Sequence, residues 1–163
     1  MATPYRLRQL ELREEAILNA AHQLLGRLGY EEMTMDAVAA EVGIAKASLY
    51  KHFPSKERLA ARTMTRLFDR TIARLHELAP ELAAGEKLRQ MLEWVLRERL
   101  KGSIPHLPAS NSALEQGLMT DEEYLAALLT LNAELSSLVD RAKQDGALAR
   151  ELPTDYIVTA IYA

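Results

Sequence analysis

Apolar residues recur along this chain at the three- and four-residue spacings that line one face of a helix. Ile17, Ala21, Leu24, Leu25 and Leu28 form the first such face, and Gly29 follows as its C-terminal cap. Thr34 can cap a short second helix with the stripe Met35, Val38, Ala39 and Val42, where Met33 and Val38 occupy the positions of a hydrophobic staple. Gly43 gives the backbone freedom for a tight turn, and a third helix is predicted over 45–53, with Leu49 and Phe53 one turn apart and Pro54 as the stop. Ser55 caps a long fourth helix through Leu59, Met64, Leu67, Phe68, Ile72, Leu75 and Leu78, as far as Pro80.

A fifth helix between Glu86 and Leu100 is expected to turn Leu88, Met91, Leu92, Val95 and Leu96 inward. The two prolines in 102–108 make that stretch irregular, and a short sixth helix is predicted over 109–116. Thr120 and Glu123 make a capping box for a seventh helix bearing Tyr124, Leu128, Leu131, Leu135, Leu138 and Ala142, which Gly146 ends. The last helix, from Thr154 to Ala163, is apolar on nearly every side and has no terminal cap, so a further C-terminal portion is expected. The fold class is therefore all-α. A three-helix unit with a helix-turn-helix arrangement (1–54) is joined by the long helix to a second helical domain (55–163) that is expected to be incomplete.

Composition narrows this picture without redrawing it. At 163 residues, 48% hydrophobic and 26% charged, the chain is an ordinary globular polypeptide able to bury a substantial core. The lack of cysteine removes disulfides and thiolate metal sites and suits a reducing cytoplasm, where we expect the protein to reside. No apolar run of the roughly 18 residues a membrane helix needs is present, and Met1 to Leu12 lacks the hydrophobic stretch of a secretory signal. No Ser-His-Asp order, HExxH pair or phosphate loop suggests an enzyme, and neither a metal nor a cofactor is expected.

Charge is more telling in its distribution than in its sum. A net charge of −3 means that any contact with nucleic acid must come from a local patch. Between Val42 and Lys56 the only formal charges are Lys46, Lys51 and Lys56, with His52 beside them. Arg6, Arg8 and Arg13 form either an arm that reaches a minor groove or a frayed end. Arg58, Arg62, Arg66, Arg70 and Arg74 recur every fourth residue along the fourth helix. That row reads as an ion-paired face answered by Glu11, Glu14 and Glu15, with Arg66 or Arg70 meeting an anionic effector as the lesser alternative.

Two short helices about a glycine turn have the geometry that places the second helix in a major groove. Lys46 is a long cation at that helix's start, Ala47 is small enough to approach a thymine methyl, and Ser48 can donate to or accept from a base. Tyr50, Lys51 and His52 suit phosphates, although Tyr50 can equally cover the edge of the core and the lysines can be plain solvated residues. Gly29-Tyr30, Met33-Thr34-Met35, Val38-Ala39, Val42-Gly43-Ile44 and Leu49 through Glu57 together resemble the TetR family over the first third of the chain. The resemblance implies a dimeric, repressor-like regulator of operator DNA, with Thr34, Lys46, Ser48, Tyr50, His52 and Lys56 at positions the family uses on DNA. Where the family usually has Ser or Thr to cap the recognition helix, this chain has Ala45, a loss of about 1 kcal/mol of local stability.

The same resemblance implies a small-molecule effector in the C-terminal half. Candidate contacts are Met91, Trp94 and Val95 on the fifth helix, His106 in the proline-rich stretch, Asn111 and Glu115 on the sixth, and Tyr124 on the seventh. A methionine and aromatic stripe at this spacing also reads as plain core. Two other functions stay open: a DNA-binding protein of this kind without a small ligand, and a helical small-molecule carrier. The seventh and eighth helices are expected to build a four-helix dimer interface.

Overall fold

The computed structural model describes residues 4–105 and 112–162, which contain eight helices and no strand. In chain order these are α1 (Pro4–Glu32), α2 (Met35–Val42), α3 (Lys46–His52), α4 (Lys56–His76), α5 (Ala84–Leu100), α6 (Ser112–Met119), α7 (Glu122–Gln144) and α8 (Thr154–Tyr162). The all-α pattern expected from the periodicity is the pattern observed. His106 and Asn111, two of the effector candidates, lie outside the described residues.

The N-terminal unit forms around Ile17, Ala21 and Leu25 of α1, which share a face with no solvent exposure and meet Met33, Val38, Leu49 and Leu59. Burying side chains of this size is worth roughly 1.5–3 kcal/mol each, which is ample to hold helices as short as α2 and α3. α1 runs antiparallel to α4: the Tyr30 hydroxyl near its end donates to Glu57 at the start of α4 at 2.9 Å, and Glu15 meets Arg66 further along at 3.4 Å. Gly29 departs from helical geometry at φ 79°, so the helix breaks there as its cap position predicts.

Several elements differ from the periodic reading. α1 begins at Pro4, and its first turns through Arg13 are exposed helix, so Arg6, Arg8 and Arg13 stand on a rigid rod and form no extended arm. Leu28, assigned to the core face, is 43% exposed, and on α5 Leu92 and Leu96 face outward at 42% and 59%. α5 starts two residues earlier than expected and α6 reaches Met119. Asp121, and not the Thr120–Glu123 box, caps α7: its side chain accepts from the Tyr124 N–H at 3.0 Å. Because α6 runs on, the Thr120 hydroxyl turns back to the Gln116 and Gly117 carbonyls at that helix's end.

The second half wraps α5, α6 and α7 around the far side of α4, with Val158 of α8 buried against α7. No described helix is long and apolar enough to cross a membrane.

Candidate nucleic-acid interface and effector cavity

The helix-turn-helix is specified turn by turn. Thr34 Oγ1 accepts from the Ala37 N–H at 3.1 Å and opens α2. Gly43 closes it in the left-handed conformation, φ 72° and ψ 34°, and the Ile44 N–H reaches back to the Ala39 carbonyl at 3.0 Å in a Schellman-type closure. Ala45 has no capping side chain, so α3 starts uncapped. Its end is firm: Phe53, extended ahead of Pro54, donates its N–H to Leu49 at 2.9 Å, and the Leu49 and Phe53 side chains are sunk into the core.

With that face buried, helical spacing leaves Lys46, Ala47, Tyr50 and Lys51 on the outer face of α3, all exposed. Ser48 and His52 are half-buried at its flanks, and Thr34 is exposed at the start of α2. Two of the lysines are not free rotors. Lys46 Nζ binds Asp36 of α2 at 2.9 Å, a contact no spacing rule connects across ten positions. Lys56 Nζ lies 4.2 Å over the Tyr30 ring and donates to the Glu31 carbonyl at 3.2 Å. Burial and the Glu57 carboxylate push the Tyr30 hydroxyl well above its ordinary pKa, so it stays a donor. The result is a convex, cationic helix face with hydroxyls and one aromatic ring, chemically suited to phosphates and base edges.

Among the described residues four of the five arginines of the α4 row, Arg58, Arg62, Arg66 and Arg74, are ion-paired, chiefly to other partners than those expected. Arg58 binds Asp121 and Glu123, and Arg62 binds Glu123, both acids lying at the start of α7. Among the described residues Glu15, of the three acids proposed on α1, forms an ion pair with the row, at Arg66, which also donates to Asn19. Asp121 is 4% exposed as a residue, and its charge is compensated by Arg58 and by the Tyr124 N–H.

Against the middle of α4 lies a cavity of about 600 Å³. It brings together Met91, Trp94, Val95, Glu115 and Tyr124 from the sequence-derived set. Other walls include Met64, Leu67, Phe68 and Thr71 of α4, Leu88 and Arg99 of α5, Leu114 and Leu118 of α6, Leu131 and Leu135 of α7, and the 102–105 segment. These extra residues carry ordinary core periodicity, which gives no sign that the space beside them is open. Phe68 and Tyr124 touch with ring centroids 5.6 Å apart at 43°.

Two close approaches tie the cavity to the N-terminal unit. A Cβ on Gly26 of α1 would collide with the Gly102 carbonyl oxygen, and a Cβ on Gly117 of α6 would lie 2.7 Å from Glu57 Cβ. The helix that walls the cavity thus rests on the first turn of α4, next to α3.

A helix-turn-helix head carried on a helical body that encloses an apolar cavity defines the class of protein. Residues 17–63 match the family described as bacterial regulatory proteins, tetR family. The nucleoid occlusion factor SlmA of Photobacterium profundum is 35% identical over 86 residues, 52% of this chain and 44% of that protein. The HTH-type transcriptional repressor KstR of Mycobacterium tuberculosis is 28% identical over 142 residues, 86% of this chain and 58% of its own length. The chain thus spans about half the length of these relatives. A TetR-family transcriptional regulator from Agrobacterium tumefaciens superposes with a TM-score of 0.74 at 22% identity, over 92% of this chain and 81% of the other, which shows the shared fold.

Proposed function

We propose that the protein is a DNA-binding transcriptional regulator, a homodimeric repressor that releases its operator when a small molecule fills the cavity. The observation that carries the reading is the outer face of α3, where Lys46, Ala47, Tyr50 and Lys51 stand exposed on a helix anchored by Leu49 and Phe53. Thr34, Ser48, His52 and Lys56 complete the DNA surface. Two such helices in successive major grooves require a dimer, and the exposed Leu129 and Tyr156 on α7 and α8 supply apolar surface for one. Filling the cavity displaces α6 against Glu57 and Arg58, and α4 carries that displacement to α3.

The match to nucleoid occlusion factors favours a second reading, a DNA-binding protein with no small ligand. The cavity favours the first, because a body serving only dimerisation has no use for about 600 Å³ of apolar void. Selection of binding sites from random DNA tests the DNA reading. The selected sequences should be two half-sites related by a twofold axis, and Lys46→Ala and Tyr50→Phe should each weaken binding to them. Unchanged affinity in both variants, or binding without salt dependence, overturns it.

A further inference from the structure

The chemistry of the cavity wall limits what can fill it, an inference that rests on the effector reading above. Among the described residues two charged side chains line it, Arg99 and Glu115, and both are exposed and opposite in sign. Arg99 is already engaged with a neighbour. The buried wall of Leu67, Phe68, Leu88, Met91, Leu114 and Leu131 has no polar side-chain atom. An ionised head group drawn inside would lose its water without gaining a counter-charge. The Thr71 hydroxyl is spent on the Leu67 carbonyl at 2.8 Å.

Tyr124 differs from these. It is 8% exposed, its ring is held against Phe68, and its own helix start is fixed by Asp121. Among the described residues its hydroxyl has no hydrogen-bond partner, yet the oxygen is not one of those sealed inside the protein. Burial also raises its pKa, so the proton stays on and the group remains a donor. A buried phenol of this kind is satisfied by an acceptor that arrives with the ligand.

We propose that the cavity takes an uncharged, largely apolar molecule bearing a carbonyl oxygen of ketone or ester type, anchored by the Tyr124 hydroxyl. Specificity then follows from exclusion as much as from attraction: the wall rejects ions, and the phenol selects acceptors over plain hydrocarbon.

Trp94 is the chain's single tryptophan and lines the cavity, so its fluorescence reports occupancy directly. The full chain is titrated with 2-dodecanone, dodecanoate and dodecylammonium, which share a tail and differ in head group. The ketone should saturate the signal at a concentration at least about tenfold below either ion, and Tyr124→Phe should weaken it about fivefold without lowering the melting temperature. Equal or tighter binding of either ion overturns the neutral class while leaving the effector reading in place. Undiminished ketone affinity in the phenylalanine variant overturns the anchor. Silence with all three probes overturns both readings of the cavity, and DNA binding, measured separately, is untouched by that result.

Discussion

The α1–α3 head and the α4–α7 cavity wall are built from the same kinds of residue and packed to opposite ends. In the head, Ile17, Leu25, Met33, Val38 and Leu49 have no exposed surface, and each short helix is opened or closed by a named group. In the wall, leucines of similar burial border a void of about 600 Å³. A recognition helix must hold its shape against a rigid duplex, whereas a sensor needs space whose filling changes the energy of the whole.

The largest expected effect tests that contrast. Leu49→Ala opens a new hole in a closed core and should cost about 4 kcal/mol, while Leu131→Ala only enlarges an existing one and should cost about 2–3 kcal/mol. Urea unfolding of the two variants decides, and equal losses would remove the distinction. Next comes the joint between the regions. Arg58→Ala strands the buried Asp121 carboxylate with only its capping bonds, a loss of about 1–3 kcal/mol visible in the same experiment. A change below about 0.5 kcal/mol would mean that water replaces the guanidinium.

A smaller effect, of opposite sign, lies at the uncapped start of α3. Ala45→Ser should supply the missing acceptor, add up to about 1 kcal/mol and slow amide exchange over 46–50. Unaltered exchange would show that the helix start is already held, by the Lys46–Asp36 pair.

The smallest effect is a pH dependence at His22, which sits on α1 beside the joint. Burial, then the guanidinium groups of Arg70 and Arg66, hold its pKa below the ordinary 6.5, against a weaker upward pull from the Ser103 backbone and Glu98. Since the folded value lies below the unfolded one, its contribution to stability is complete above about pH 6.5 and is lost as pH falls through the folded value. His22→Gln should therefore flatten the melting temperature between pH 7 and 5. A slope identical to that of the parent protein would assign the loss to carboxylates instead.

How far each region could be read from the residues follows from the same contrast. Thr34, Gly43 and Ser55 act where their positions suggest, because a cap is a contact within three or four residues and its partners are adjacent in the chain. At α7 the capping box reads one residue early: Asp121 caps the helix because α6 extends far enough to claim the Thr120 hydroxyl. The first turns of α1 escaped notice because they bury nothing. Their helix rests on the propensities of Leu, Arg, Gln and Glu and leaves no core stripe to detect. Neither the cavity nor the Arg58–Asp121 pair has a local signature, since one is a space between helices far apart in the chain and the other joins residues 63 positions apart.

The bridge from Lys46 to Asp36 bears on how the proposed regulator meets its operator. A free surface lysine that neutralises a phosphate displaces a condensed cation from the duplex, and that release is what makes binding fall with salt. Lys46 arrives with a counter-ion supplied by its own chain, so reaching a phosphate is an exchange of one carboxylate partner for another anion. If the proposed DNA surface is correct, the bridge would hold down affinity for arbitrary DNA and favour a site that engages Lys46 at a base edge. A single acidic residue on α2 would thus act as a tariff on indiscriminate binding.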